Sequence, residues 1–149
     1  DMVQAYLACI AFVDAQVGKV LDALEKSAYK DNTYIILLSD HGYHLGEKNR
    51  FAKHSLWERS AHVPLIISGP GLQQNKINHN PVGLIDIYPT LVDLSGIPKN
   101  QQNQGRSLAP LLRNQIKHWD YPVYSFYGTN NVSVYKNKYH YIKYEDLSE

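Results

Sequence analysis

The first 25 residues place their apolar side chains with the period of an α-helix. These side chains recur at steps of three and four positions, at Met2, Val3, Tyr6, Leu7, Ile10, Val13, Val17, Val20, Leu21 and Leu24. That spacing aligns them along one face of an amphipathic helix of about six turns. We therefore predict a long N-terminal helix that packs this face on a large surface.

Two uninterrupted apolar runs follow the helix, at residues 33–38 and 63–67. Continuous β-branched and aliphatic runs of this length are typical of strands that are covered on both faces. The turn-forming pair Asp31-Asn32 precedes the first run, and Gly69-Pro70-Gly71 ends the second. A helix followed by a buried strand predicts an α/β fold in which these strands belong to a parallel sheet.

The remaining pattern predicts short helices and then a change to β-structure. Residues 55–61 and 89–95 read as short helices, and residues 108–112 form a short apolar segment. From residue 121 onward, seven of the twelve tyrosines lie in two β-like runs, 121–127 and 132–144, separated by a turn-prone stretch. We predict an antiparallel hairpin here and a domain boundary near residue 115.

Composition excludes several classes of protein. A chain of 149 residues that is 44% hydrophobic has the size and apolar content of a folded domain. Its 15 basic and 14 acidic residues nearly cancel, so we expect no nucleic-acid partner. The apolar runs fall short of the roughly 20 residues that span a bilayer, and one cysteine cannot build a disulfide framework.

Ionisable side chains crowd into the 23 residues after the first predicted strand, at Asp40, His41, His44, Glu47, Lys53, His54, Glu58 and His62. Ligands of open α/β sheets bind beyond the carboxyl ends of the strands, where Asp40 and His41 lie. A carboxylate and an imidazole together suit a divalent cation, and Gly42 allows a sharp turn beside them. The alternative is that the Asp40 carboxylate accepts a hydrogen bond within a turn and that His41 is a hydrogen-bonded surface histidine.

Lys53 is a second candidate for chemistry. Its neighbours in the sequence are apolar, namely Phe51, Ala52, Leu56 and Trp57. An ammonium group in such surroundings could neutralise an oxyanion, although it could also be a solvated lysine. The chain has no G-x-S-x-G, P-loop or G-x-G-x-x-G motif, so neither a serine hydrolase nor nucleotide binding has support.

Five segments, taken in order, resemble the C-terminal half of the type I sulfatases: YLACIAFVDAQVGKVLDALE, NTYIILLSDHGYHLGEKNRFAKHSLWERSAHVPLIISGPG, VGLIDIYPTLVDLSGIP, GRSLAPLL and VYKNKYHYIKY. The likeness is closest to the branch of iduronate-2-sulfatase and choline-sulfatase-like enzymes. It implies an α/β, alkaline-phosphatase-like sandwich, with a mostly parallel sheet and flanking helices. Residues 1–115 would be the C-terminal part of that domain and residues 116–149 the start of an antiparallel subdomain, in a chain truncated at both ends.

The resemblance also implies a chemistry and a set of site residues. Such enzymes hydrolyse sulfate esters with a formylglycine nucleophile and a calcium ion. Asp40 and His41 match metal ligands of the family, and Lys53 matches the lysine that contacts the sulfate. His44 aligns with a variable position that faces the substrate. The implied substrate is a sulfated small molecule or sulfated carbohydrate, and the implied location is secreted, periplasmic or lysosomal.

One departure from the family concerns the nucleophile. No C-x-P-x-R segment occurs, because Cys9 is followed by Ile10-Ala11-Phe12, and we interpret Cys9 as a packing residue of the helix. We expect the formylglycine and the first acidic metal pair upstream of this chain in the intact protein. The 149 residues alone should then be inactive and bind calcium weakly, since calcium prefers six to eight oxygen ligands.

Two other functions remain open from the sequence. A phosphodiesterase or phosphonate monoester hydrolase of the same superfamily would share the Asp40–His41 metal pair. A non-catalytic relative could instead use the tyrosine-rich hairpin as a carbohydrate-binding platform, because aromatic faces stack on sugars.

Overall fold

The computed structural model describes residues 1–146, so residues 147–149 of the predicted C-terminal subdomain lie outside the described part of the chain. The predicted N-terminal helix is confirmed as α1, Met2–Glu25, and the Asp1 carboxylate caps it by accepting a hydrogen bond from the Val3 backbone N–H at 2.8 Å. In residues 1–146 none of the helices combines the length and the apolarity needed to cross a bilayer.

The predicted packing of α1 is not observed within the described residues. No residue of α1 is buried there, and Phe12 and Val20 are 68% and 69% exposed. Cys9 is exposed as well, so its interpretation as a packing residue is wrong for this structure. The periodic pattern correctly predicts a helix, but it does not specify which surface the apolar face of the helix would pack against.

The two predicted apolar strands pair with each other. Strand β1, Ile35–Leu38, runs antiparallel to β4, Leu65–Ser68, with Ile35 opposite Ser68. The α/β class is confirmed, but the parallel arrangement predicted for these strands is wrong for this pair. The intervening chain returns beside β1 without a crossover helix of the kind that parallel strands require. Burial on both faces is also wrong, because Leu37 and Leu38 remain about 40% exposed.

Between these strands lie two short elements that carry or flank the ionisable side chains. Strands β2, His44–Leu45, and β3, Phe51–Ala52, form a small antiparallel hairpin. Helix α2 then spans Glu58–Ala61, within the short helix predicted at residues 55–61. This hairpin and helix position the candidate site.

The buried core lies mainly after β4. Leu94 of helix α3, Ile87–Leu94, packs in one buried cluster with Ala109 of helix α4, Ala109–Leu112. Leu108, Leu111 and Trp119 form a second cluster, against which Leu65 and Ile67 of β4 pack. Thr90 is fully buried and joins the two helices. Its hydroxyl donates to the Asp86 carbonyl at 2.6 Å and accepts from the Leu108 N–H at 2.8 Å.

The tyrosine-rich segment forms three strands rather than the predicted two. They are β5, Val123–Tyr127, β6, Asn131–Lys136, and β7, Tyr139–Lys143, paired antiparallel in that order. The run at residues 132–144 is interrupted at Asn137, whose φ of 54° is the left-handed conformation of a two-residue hairpin turn. Asparagine tolerates that conformation, which explains the break. The boundary near residue 115 stays a prediction.

Candidate functional site

The turn Asp40-His41-Gly42 follows directly on β1 and is held by helix α2. The Gly42 N–H donates to the Ser60 carbonyl at 2.8 Å, and the Ser39 hydroxyl donates to the His41 carbonyl at 2.7 Å. A Cβ atom at Gly42 would lie 1.9 Å from the Arg59 carbonyl oxygen. Only glycine therefore allows the turn to approach α2 so closely.

The hydrogen bond between His41 and Gly42 determines which ring nitrogen of His41 carries the proton. Nδ1 lies 2.8 Å from the Gly42 carbonyl oxygen, which can only accept, so Nδ1 carries the proton and the neutral ring presents a lone pair at Nε2. That Nε2 lies 3.6 Å from Asp40 Oδ2. Lys53 Nζ lies 2.5 Å away and donates to the same nitrogen. We call Asp40, His41 and Lys53 the half-site.

Ser55 and Ser60 hold the loop that carries Lys53. The Ser55 N–H donates to the Lys53 carbonyl at 2.8 Å, and the Ser55 hydroxyl donates to the Ser60 hydroxyl at 2.9 Å. Because Ser60 belongs to α2, the same short helix supports both the Asp40–His41 turn and the Lys53 loop. The sequence contains no signal for these two serines, since small polar residues five positions apart match no motif.

His44 lies behind the half-site rather than on its surface. Its side chain is 1% exposed, its Nε2 donates to the Ser55 hydroxyl at 2.9 Å, and its ring meets Trp57 edge to face. Its Nδ1 has no hydrogen-bond partner among the described residues. His44 thus stabilises the Lys53 loop through Ser55 and Trp57. The substrate contact expected for His44 stays a prediction.

Two other acidic groups of the stretch, Glu47 and Glu58, have their partners outside the half-site. Glu47 pairs with Arg59 at 3.3 Å, and Glu58 pairs with His62 at 2.7 Å. The hydroxyl of Tyr135, 77 positions later, donates to the second oxygen of Glu58. This bond holds the pKa of Glu58 below its ordinary value, while burial and the Glu58 carboxylate raise the pKa of Tyr135.

The half-site fits a divalent cation in its donor types but supplies few ligands. The unprotonated Nε2 of His41 lies 3.6 Å from the carboxylate of Asp40, and it accepts a hydrogen bond from the ammonium of Lys53. Within residues 1–146, no three His, Cys, Asp or Glu side chains gather closely enough to hold a metal ion. A calcium ion would therefore need further oxygen ligands.

Comparison with known proteins shows a consistent set of relatives. The sequence model of the sulfatase family matches residues 1–97. A sulfatase from Formosa agariphila is 47% identical over 148 residues, which are 99% of this chain and 29% of that protein. Arylsulfatase K from Bos taurus is 39% identical over 153 residues, covering 95% of this chain and 28% of that protein.

A solved structure gives the same result for the fold. The solved structure of BT4656 in complex with its substrate D-glucosamine-2-N,6-O-disulfate aligns with a TM-score of 0.87 at 30% identity, over 97% of this chain and 32% of that one. The chain thus spans less than a third of the length of these relatives. Their fold confirms the predicted alkaline-phosphatase-like architecture, whereas the iduronate-2-sulfatase branch stays a prediction. Taken with the geometry of the half-site, these matches show that the chain belongs to the sulfatase family.

Proposed function

We propose that the complete protein hydrolyses sulfate esters and that this chain contributes the half-site of Asp40, His41 and Lys53. The observation that carries the proposal is the convergence of a carboxylate, an unprotonated imidazole nitrogen and an ammonium group near the end of β1. Family membership supports sulfuryl over phosphoryl esters, which leaves the phosphodiesterase or phosphonate hydrolase alternative with less support.

Lys53 would bind the sulfate group. Its side chain is exposed, whereas the apolar side chain of Leu56, three residues later in the same loop, is buried. A compact positive charge that is already in place when charge develops on the sulfate oxygens lowers the barrier without reorganisation. Substrate binding would draw the ammonium from His41 Nε2 to a sulfate oxygen, because an anion is the stronger acceptor.

Asp40 and His41 would hold a calcium ion together with ligands from residues outside this chain. When bound, calcium supplies Lewis-acid stabilisation of the sulfate oxygens. The Gly42 carbonyl contributes indirectly, since it accepts from Nδ1 and so leaves Nε2 of the neutral ring unprotonated. Cys9 lies exposed in α1 and lacks the C-x-P-x-R context, so we assign the formylglycine nucleophile to residues beyond the 149 given.

The substrate we propose is a sulfated carbohydrate, supported by the disulfated glucosamine named for the solved relative. An extracytoplasmic location, whether secreted, periplasmic or lysosomal, accompanies this proposal. We expect the 149 residues alone to show no turnover, because they contain neither the nucleophile nor a full set of metal ligands.

The test is a comparison of substrates with the complete gene product. Mass spectrometry should find a formylglycine peptide, and the protein should cleave 4-nitrophenyl sulfate faster than 4-nitrophenyl phosphate. A complete protein without a C-x-P-x-R segment would refute the sulfatase proposal. Faster turnover of the phosphate ester would favour the phosphodiesterase or phosphonate hydrolase alternative instead.

A further inference from the structure

One residue of helix α2, Ser60, is bonded to both segments that carry the half-site. The Ser60 carbonyl accepts from the Gly42 N–H, which follows His41, and the Ser60 hydroxyl accepts from Ser55 in the Lys53 loop. A shift of α2 would therefore move the metal-binding turn and the lysine loop together. With four residues, α2 is too short to be stable alone, so contacts outside it must hold its position.

The antiparallel sheet of β5, β6 and β7 provides such contacts. The Tyr135 hydroxyl on β6 donates to Glu58 at the first position of α2. On the neighbouring strand β5, the Tyr127 ring lies 6.1 Å from the His54 ring, next to Lys53. The sheet thus meets the segment from Lys53 to Glu58 near both of its ends.

Tyr135 is itself held rigidly on the sheet. Its ring stacks on that of His140, its partner across β6 and β7, with ring centres 3.7 Å apart and planes 14° apart. His140 Nε2 lies 2.7 Å from the hydroxyl of Ser133, which is fully buried. A hydroxyl held by a stacked ring on a paired strand loses little further freedom when it binds Glu58.

We propose that Tyr135 is a positioning residue of the sulfatase site, which fixes α2 through Glu58 and thereby sets the distance between Lys53 and the Asp40–His41 pair. The proposal rests on the proposed function for its catalytic consequence, but its structural part can be tested without any activity. It gives the C-terminal sheet a role in the chemistry although the sheet contributes no group to the half-site.

The structural test is hydrogen exchange on the complete protein and its Tyr135→Phe variant. Loss of one hydroxyl should speed exchange of the amides in residues 40–62 by about tenfold, because a hydrogen bond to a charged acceptor is lost. The matched control is Tyr139→Phe, which removes a hydroxyl from the opposite face of the same sheet. Equal exchange in residues 40–62 of the two variants would overturn the proposal.

A second pair of variants approaches the same bond from α2. Glu58→Gln keeps an oxygen that accepts from Tyr135, so it should retain most of the protection, whereas Glu58→Leu should lose it. If Tyr135→Phe does not fold, Glu58→Leu serves as the test. Unchanged amide exchange in residues 40–62 of a folded Glu58→Leu protein would then overturn the proposal.

Kinetics of the complete enzyme separate positioning from stability. Well below the melting temperature, Tyr135→Phe should lower kcat/KM for a sulfate ester by about tenfold. Glu58→Gln should keep a higher kcat/KM than Glu58→Leu, because only the glutamine can still accept from Tyr135. Faster exchange in an enzyme whose kcat/KM is unchanged would overturn the catalytic part. A complete protein without sulfatase activity that still shows faster exchange would refute the proposed function and leave the tether from Tyr135 to α2 intact.

Discussion

Helices α1 and α2 contrast in their sequence signals and in their tertiary contacts. Helix α1 has 24 residues, an unmistakable periodic pattern and no buried residue within the described chain. Helix α2 has four residues and a weak sequence signal, yet it supports both parts of the half-site and bonds to a strand 77 positions away. The strength of a sequence pattern therefore measures local regularity, whereas the contacts of an element determine its place in the site.

The largest expected difference between the two regions is the loss of kcat when a lysine is removed near α2 or within α1. In the complete protein, Lys53→Ala should lower kcat for a sulfate ester by about 10² to 10³, because one preorganised charge on the sulfate is lost. Lys19→Ala removes a lysine of α1 that bonds only locally, to Gln16 at 3.1 Å, and should leave kcat unchanged. Steady-state kinetics at saturating substrate test the pair, and equal losses would contradict the assignment of Lys53.

Metal dependence should follow the turn that α2 supports. A chelator should abolish activity of the complete protein and added calcium should restore it. Asp40→Asn should raise the calcium concentration for half-maximal activity by roughly 10- to 100-fold, since a charged ligand is lost. Asp14→Asn in α1 serves as the control for the change of charge. Calcium titration of the chelated enzymes gives the result, and identical curves for the two variants would remove Asp40 from the metal site.

Two glycines test the contrast through stability. Gly42→Ala places a Cβ against the backbone of α2 and should lower the free energy of unfolding by about 1 to 3 kcal/mol. Gly18→Ala lies inside α1 with no atom near the new Cβ, and should raise it by about 0.5 to 1 kcal/mol. Urea unfolding monitored by circular dichroism measures both. A stabilising Gly42→Ala would show that the turn does not approach α2 as described.

The smallest expected effect is the pH dependence of the bond from Tyr135 to Glu58. Because that bond lowers the pKa of Glu58 in the folded state, its contribution is present above the unfolded value of 4.5 and is lost as the pH falls through the folded pKa. The partners facing Glu58 are Tyr135 and His62, with His140 nearby. The free energies of unfolding of the wild type and of Tyr135→Phe should therefore differ at pH 7 and converge at acidic pH. A difference that persists below the folded pKa of Glu58 would assign the effect to packing of the ring.

The candidate site could be predicted from sequence only where its residues are close together in the chain. Asp40 and His41 are adjacent and follow an apolar run, so the sequence places them together, whereas Lys53 is marked by its apolar neighbours and by the resemblance to sulfatases. Ser60 and Tyr135 were missed, since neither lies in a motif and each acts through a partner distant in sequence. The burial of His44 was missed for the same reason, because it depends on Ser55 and Trp57 enclosing the ring.

The sequence by itself determined the local structure: the helical period of α1, the apolar runs of β1 and β4, and the family to which the chain belongs. These features depend on neighbouring residues, whose spacing sets which faces can be apolar. Only the tertiary structure decided that β1 and β4 pair antiparallel, that the run at residues 132–144 folds back at Asn137 as β6 and β7, and that Tyr135 reaches Glu58. Strand direction and long-range hydrogen bonds depend on how the whole chain returns on itself, and no local pattern of apolar and polar residues specifies that path.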